Sequence, residues 1–305
     1  MVNTVKVVVG TRGSQLALTQ TEWVVNQLRI CNPQIDFEIK IIKTKGDLIQ
    51  NVPLDKIGDK GLFVKEIEQQ LLDGEIDLAI HSMKDMPSEL DSRLTFTYTP
   101  VREDARDVLI LKAPIQSLED LPYGATIGTG SKRRKYQLLQ VRPDLNIVPI
   151  RGNIDTRISK IDSENLDGIV LAAAGLKRIG REAQISYYIP IETVLPAPAQ
   201  GALAIEIRKG DDQIYNLIRP IEDLVSQMQI EAERAFLDGV EGSCHLPIGA
   251  YAEVEKGHMK LTCLLGDEEG IKMIKDTFSR NCTEIEHAKA LGYEAARVIL
   301  ERLQA

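Results

Sequence analysis

Short apolar runs that end in polar, glycine-containing turns recur along most of this chain, and helical patterns follow them. Val5 to Val9 predicts a buried strand running into Gly10-Thr11-Arg12-Gly13-Ser14. Ser14 is a good N-cap for a helix offering Leu16, Leu18, Trp23, Val24 and Leu28 for burial. Phe37 to Ile42 alternates as a second strand. Thr44 to Gly61 is long, polar and punctuated by glycine and proline, a length more often functional or mobile than structural, and it carries Lys56 and Lys60. Phe63 to Leu72 predicts an amphipathic helix, and Ile76 to Ile80 a strand that delivers His81-Ser82-Met83-Lys84-Asp85 to a loop. Thr99 to Asp107 reads as a polar connector.

The pattern then repeats. Ala125 to Ile127 enters Gly128-Thr129-Gly130-Ser131-Lys132-Arg133-Arg134 and a helix through Leu139, echoing the Gly-Thr, Ser, helix order of the first turn. Asn146 to Ile150 is a strand leading to Arg151-Gly152-Asn153, and Ile154 to Ile161 a helix carrying Arg157. Gly168 to Ala173 is a strand followed by Ala174 to Arg178. This alternation implies mostly parallel sheets, in which ligands sit beyond the carboxyl ends of the strands. Those ends collect Arg12, Lys84, Asp85, Arg133, Arg134, Arg151 and Arg178. Leu195 to Gly201 resembles a hinge, and Ala202 to Ile207 a strand returning to the first sheet. The last stretch changes character. A helix from Ile221 to Leu237, with Leu224, Val225, Met228, Ala232 and Phe236 on its apolar side, is followed by three closely spaced strands (Ala250 to Val254, Met259 to Leu265, Ile271 to Phe278) and a helix from Glu284 to Leu303. Closely spaced strands suggest an antiparallel sheet in a small α+β domain.

A length of 305 residues suggests two or three domains. A net charge of -8 argues against general binding to nucleic acid or an anionic membrane, and no apolar run approaches membrane-spanning length. Four cysteines (Cys31, Cys244, Cys263, Cys282) lack paired short spacing, and the start shows no export signal, so reduced thiols in a cytoplasmic protein are expected. Four histidines form no ligand spacing, and no metal is expected.

Cys244 stands in Glu241-Gly242-Ser243-Cys244-His245-Leu246-Pro247, a segment that glycine and proline keep out of regular structure. A thiol there can reach into a cleft, the alternative being one more small buried hydrophobe among four cysteines; Cys263, sharing a strand face with Leu261 and Leu265, belongs in a core, and Cys31 and Cys282 have no activating context. Lys132 to Lys135 places cations at a helix start, against the helix dipole, a cost that a bound polyanion would offset. Basic strand ends, one acid and one thiol suit covalent handling of a polycarboxylated small molecule, because guanidinium forks bind carboxylates bidentately. A non-catalytic solute-binding protein and a nucleic-acid binder using Lys132 to Lys135 are the alternatives.

The stretches Thr11 to Leu18, Gly58 to Glu66, His81 to Asp85, Ser131 to Arg134, Arg151 to Asn153, Ala174 to Arg178, Gln200 to Ala202 and the Cys244 loop together resemble the porphobilinogen deaminase (hydroxymethylbilane synthase) family over nearly the whole chain. The resemblance implies an α/β fold of two periplasmic-binding-protein-like (type II) domains plus a small α+β C-terminal domain with a three-stranded antiparallel sheet, divided as 1–100 with 200–219, 103–196 and 221–305. It implies a monomeric transferase of haem biosynthesis, joining four porphobilinogen molecules with loss of ammonia into hydroxymethylbilane and primed by a dipyrromethane held through a thioether to Cys244. It implies Asp85 as catalytic acid, with Ser82, Lys84, Asp85, Ser131, Arg133, Arg134 and Arg157 around the cofactor. Arg12, Ser14, Arg151, Arg157, Arg178 and Gln200 are implied for substrate, and Lys56, Lys60 and Phe63 for a mobile loop. The chain departs from the family pattern at Ser243 and His245, where glycine and glutamine are expected, and at Gly130, where serine is expected.

Overall fold

The computed structural model describes residues 5–48, 64–87, 89–242 and 246–304. The chain divides into two compact units: Met1–Arg102 with Ala202–Gln227, and Glu103–Gly201 with Met228–Ala305.

In the first unit, β1 (Val5–Arg12) pairs in parallel with β2 (Ile35–Ile42) and with β3 (Leu78–Ser82). The returning strand β10 (Leu203–Arg208) runs antiparallel to β3 and to β4 (Leu94–Phe96), giving the order β2-β1-β3-β10-β4. The expected return of this segment to the first sheet is what the structure shows. Between β1 and β2, α1 (Gln15–Cys31) starts at Ser14, whose hydroxyl accepts from the Ala17 N–H. It ends where the Asn32 side chain donates to the Leu28 carbonyl at 3.0 Å, satisfying a helix-end acceptor. Val24 and Leu28 pack on Val7, Val9 and Ile80, whereas Trp23, expected inside, is 42% exposed. Two short helices, α2 (Lys45–Leu48) and α3 (Lys65–Leu72), precede β3. The first of them lies inside the stretch expected to be all loop.

In the second unit, β6 (Thr126–Gly128) pairs in parallel with β7 (Asn146–Val148) and β8 (Gly168–Ala172). An antiparallel β5 (Asp107–Leu111) lies between β8 and β9 (Tyr187–Tyr188), giving the order β7-β6-β8-β5-β9. Helices α4 (Lys132–Val141), α5 (Ile154–Ser163) and α6 (Ala173–Arg178) follow β6, β7 and β8. Asp107, which ends the polar connector expected from the sequence, is instead the first residue of a buried strand.

After α7 (Asp212–Ile218), α8 (Leu224–Gly239) leads to the antiparallel strands β11 (Ile248–Glu255), β12 (His258–Gly266) and β13 (Met273–Asn281), closed by α9 (Ile285–Gln304). This is the expected α+β region. Its core takes Met228, Ala232 and Phe236 of α8 together with Leu261, Cys263 and Leu265, but Leu224 and Val225, also expected inside, are exposed. Within the second unit the segment 195–200 is pinned from several sides. Glu233 on α8, fully buried, accepts from the Ala199 N–H at 2.6 Å and from the Ala252 N–H at 2.8 Å. The Ala250 N–H donates to the Pro196 carbonyl. Gly201 follows at φ +91°, and a Cβ there would stand 2.3 Å from the Glu103 carbonyl oxygen, so only glycine fits.

Candidate active site

In the first unit the parallel strands deliver their last residues to the edge at which β10 begins, since Leu203 is registered with Ser82. Arg12 closes β1 and is half-buried. The Ser82 hydroxyl is held by the carboxamide of Gln20 on α1, whose Nε2 donates to it at 3.0 Å; Gln20 is buried and was not singled out from the sequence. Beyond Ser82, residues Met83–Asp85 form one tight helical turn. Met83 and Met86 are buried on either side of it, while Lys84 is half-buried and Asp85 is exposed. Two apolar anchors thus turn the intervening charged pair outward. Behind the strand, His81 and Glu206 form a buried contact, Nε2 to Oε2, at 3.1 Å. Burial, reinforced by Glu206, pushes the nearby Glu68 carboxyl up.

In the second unit β6, β7 and β8 run parallel, so the start of α4, Arg151 and α6 follow strand ends on one edge. The antiparallel β5 begins at that same edge, with Asp107 registered to Ala172. Ser131 caps α4 by accepting from the Arg134 N–H. Arg133 and Arg134 do not extend into solvent; they are 5% and 6% exposed and converge on Asp107, which is fully buried. Arg133 Nη1 donates to Asp107 Oδ2 at 2.6 Å and to the Leu195 carbonyl at 2.7 Å. Arg134 donates to Asp107 Oδ1 through Nε at 3.0 Å and Nη2 at 2.7 Å, and through Nη1 to the Val170 carbonyl. Gln200, also buried, donates to Asp107 Oδ1 at 2.9 Å and to the Ala105 carbonyl at 2.7 Å. The electrostatic cost of the basic helix start, assigned from the sequence to a bound polyanion, is therefore met in the first place by Asp107.

Burial alone would raise the Asp107 carboxyl, but attraction to Arg133 and Arg134 outweighs it and holds the group below the usual carboxylate range. Burial pushes the Arg133 guanidinium down. One buried anion against two buried cations leaves a positive surplus at this edge. Arg178 Nη2 donates to the Gly201 carbonyl at 2.7 Å, and burial, opposed by the charge of Glu103, pushes its guanidinium down to about 10, still cationic at neutral pH. Arg151 Nη1 is buried, with no hydrogen-bond partner among the described residues. Arg157 Nε donates to the Gly152 carbonyl at 2.8 Å. A cationic sheet edge with buried forks suits small molecules bearing several carboxylates.

Cys244, Ser243 and His245, and the loop residues Lys56, Lys60 and Phe63, lie outside the described residues. Of the other cysteines, Cys263 is in the core as expected and burial pushes its thiol well up; Cys282 is buried with its thiol raised, and Cys31 is exposed. Among the described residues no group of three or more His, Cys, Asp and Glu is arranged to hold a metal ion, and no helix is long and apolar enough to cross a membrane.

Solved structures with a similar α/β fold include the periplasmic VFT2 domain of Bordetella pertussis BvgS (18% identical, 76% of this chain and 92% of that one, TM-score 0.41). Another is YtmK of Bacillus subtilis, a probable extracellular-binding protein of an amino-acid ABC transporter (13% identical, 71% and 89%, TM-score 0.43). The two five-stranded sheets give the expected α/β fold, each with its antiparallel strand set in fourth place. Two family descriptions match this sequence: "Porphobilinogen deaminase, dipyromethane cofactor binding domain" over residues 7–216, and "Porphobilinogen deaminase, C-terminal domain" over 227–301. The porphobilinogen deaminase of Clostridioides difficile is 59% identical over 98% of both chains. That of Clostridium novyi is 56% identical over 98% of this chain and 99% of its own, and that of Geobacillus kaustophilus 48% identical over 98% and 97%. A match of this length and identity settles the family: the chain belongs to the porphobilinogen deaminases, the hydroxymethylbilane synthases that polymerise porphobilinogen into a linear tetrapyrrole in haem biosynthesis.

Proposed function

We propose that the chain works as a cytoplasmic monomer of three domains (1–100 with 200–219, 103–196 and 221–305), with the dipyrromethane joined to Cys244 by a thioether and Asp85 as the catalytic acid. Four porphobilinogen molecules are added head to tail, each with loss of ammonia. The observation that carries this reading is the cation surplus in the second unit: two buried guanidiniums share one buried carboxylate. The buried Nη1 of Arg151, which has no hydrogen-bond partner among the described residues, points the same way. These groups fit a cofactor and substrate that carry acetate and propionate side chains.

When bound, the dipyrromethane supplies the pyrrole terminus on which elongation begins. The chain's own residues do the rest. Ser82, Lys84, Ser131, Arg133, Arg134 and Arg157 hold cofactor carboxylates, and Arg12, Ser14, Arg151, Arg157, Arg178 and Gln200 those of substrate. An ionised Asp85 stabilises the positive charge that develops on the porphobilinogen ring as its amine departs, and moves protons between the leaving group and the ring. Asp85 suits this role because its turn presents it outward between buried methionines.

Intact mass tests the reading. The purified protein should exceed its chain mass by one dipyrromethane, on a peptide containing Cys244, and Cys244→Ser should remove that mass because an alkoxyl is a far poorer nucleophile than a thiolate near neutral pH. Single changes of Cys31, Cys263 or Cys282 to Ala should leave it. An adduct on a peptide lacking Cys244 overturns the assignment.

A further inference from the structure

We infer that Asp107 is a positioning residue for carboxylate recognition: it sets the two neighbouring guanidiniums of Arg133 and Arg134 in the orientation in which they receive the ligand's carboxylates. The inference rests on the reading that these arginines bind carboxylates, and goes beyond it by naming what holds them. Two adjacent cations in a buried place repel each other and would swing apart toward water. Asp107 stands between them, with Oδ2 receiving Arg133 at 2.6 Å and Oδ1 receiving Arg134 at 2.7 and 3.0 Å. Each oxygen thus serves one arginine, which fixes the two guanidiniums separately.

The carboxylate is itself held. Gln200 Nε2 donates to Oδ1 at 2.9 Å and also binds the Ala105 carbonyl, two residues upstream on the same chain. Arg133 donates both of its bonds from Nη1, to Asp107 and to the Leu195 carbonyl, and its Nε and Nη2 make no hydrogen bond among the described residues. Those two nitrogens form the edge of a guanidinium that binds a carboxylate bidentately. Occupying Nη1 with Asp107 and a carbonyl presents that edge to a ligand. One anion is enough to keep the pair together, yet too few to neutralise it, so a carboxylate completes the charge balance.

The test uses the full-length protein expressed with its own cofactor supply. Adduct fraction is read by intact mass and folding by thermal melts, for wild type, Asp107→Asn, Asp107→Glu, Arg133→Lys and a control, Leu118→Ala, which opens a cavity in the core of the same domain. Asp107→Asn should lower the adduct fraction roughly tenfold to a hundredfold, as misplaced binding groups do. Asp107→Glu should recover part of it, because the charge returns one methylene out of place. Leu118→Ala, though also destabilised, should keep its adduct. Should Asp107→Asn fail to fold, Asp107→Glu decides alone, with partial loss of adduct expected. A folded Asp107→Asn or Asp107→Glu protein carrying the wild-type adduct fraction overturns the inference, as does loss of adduct from Leu118→Ala in proportion to its melting temperature. Arg133→Lys separates the two levels: if it loads normally, the carboxylate reading itself fails; if it fails to load while Asp107→Asn loads normally, only the role of Asp107 is lost.

Discussion

The two five-stranded sheets have one strand order and opposite edge chemistry. In each, three parallel strands are followed in space by an antiparallel one, β10 in the first unit and β5 in the second. In each, the first residue of that antiparallel strand is registered with the last residue of its parallel neighbour: Leu203 with Ser82, and Asp107 with Ala172. The first unit has an apolar residue at this position and carries its acid, Asp85, exposed on the turn beyond Ser82. The second unit has its acid at this position, buried, and gathers two arginines on it. Even the turns correspond, with Ser14 capping α1 and Ser131 capping α4. An antiparallel strand inserted in a parallel sheet starts where its neighbours end, so its first side chain joins the edge at which the parallel strands finish. The same scaffold therefore gives an exposed acid on a turn in one unit, and an internally braced, buried cation pair in the other.

The largest expected effect breaks the comparison from the side of the first unit. Asp85→Asn should cut turnover by roughly 10²–10⁴-fold while leaving the melting temperature near wild type, because Asp85 is exposed. Asp85→Glu should cost on the order of 10²-fold from displacement of about 1 Å. Steady-state ammonia release measured beside thermal unfolding checks both, and near-normal turnover of a folded Asp85→Asn protein removes Asp85 from the mechanism. The second unit should behave the other way. Asp107→Asn leaves two buried guanidiniums without their anion, a change that typically costs about 3–5 kcal/mol, so denaturant titration should show a large loss of stability. A stability loss at Asp85 equal to that at Asp107 would erase the contrast.

Arg133→Lys sharpens the comparison further. Lysine keeps the charge but loses the fork, and each lost bidentate contact should weaken carboxylate binding by roughly 1.5–3 kcal/mol. A wild-type adduct fraction and KM in this variant would contradict the assignment.

The acid limb of stability follows from Asp107. Its folded carboxyl is held below the usual range, so it stabilises the fold at pH values above its unfolded pKa of about 3.9, and that contribution is lost as pH falls below this toward the folded value. In that window the unfolded chain binds one more proton than the folded one, so stability must rise with pH. Urea midpoints compared at pH about 3 and about 6 should therefore converge between wild type and Asp107→Asn at the acid end. A constant separation between them would exclude Asp107 as the source. The smallest effect concerns the matched caps. Ser14→Ala and Ser131→Ala should each cost about 1 kcal/mol, but only if each serine acts chiefly as a helix cap; a much larger fall in adduct than in stability for Ser131→Ala would give that hydroxyl a further role.

Much of this was open to a reader of the sequence. Apolar runs ending in glycine turns specify strand and helix locally, because side-chain period and capping act over a few residues. Hence β1, α1, β3, α4 and the three C-terminal strands are legible, as are Arg12, Asp85 and the basic run after Ser131 at strand ends. Trp23, Leu224 and Val225 show where that logic stops: an apolar side chain is buried only if another element covers it.

What only the tertiary structure decided is the environment of the charges. Asp107 and Arg133 are far apart in sequence, with a strand between them, and a carboxylate at the end of a polar stretch gives no sign of its partners. The antiparallel placement of β5 beside β8 brings them to 2.6 Å, excludes water and turns exposed-looking cations into a buried cluster. Gln20 and Ser82 meet for the same reason, through packing of α1 on the sheet. Sequence sets the residue types at each strand end because they are written locally; which of them share a counter-ion depends on strand order and register, properties of the folded sheet.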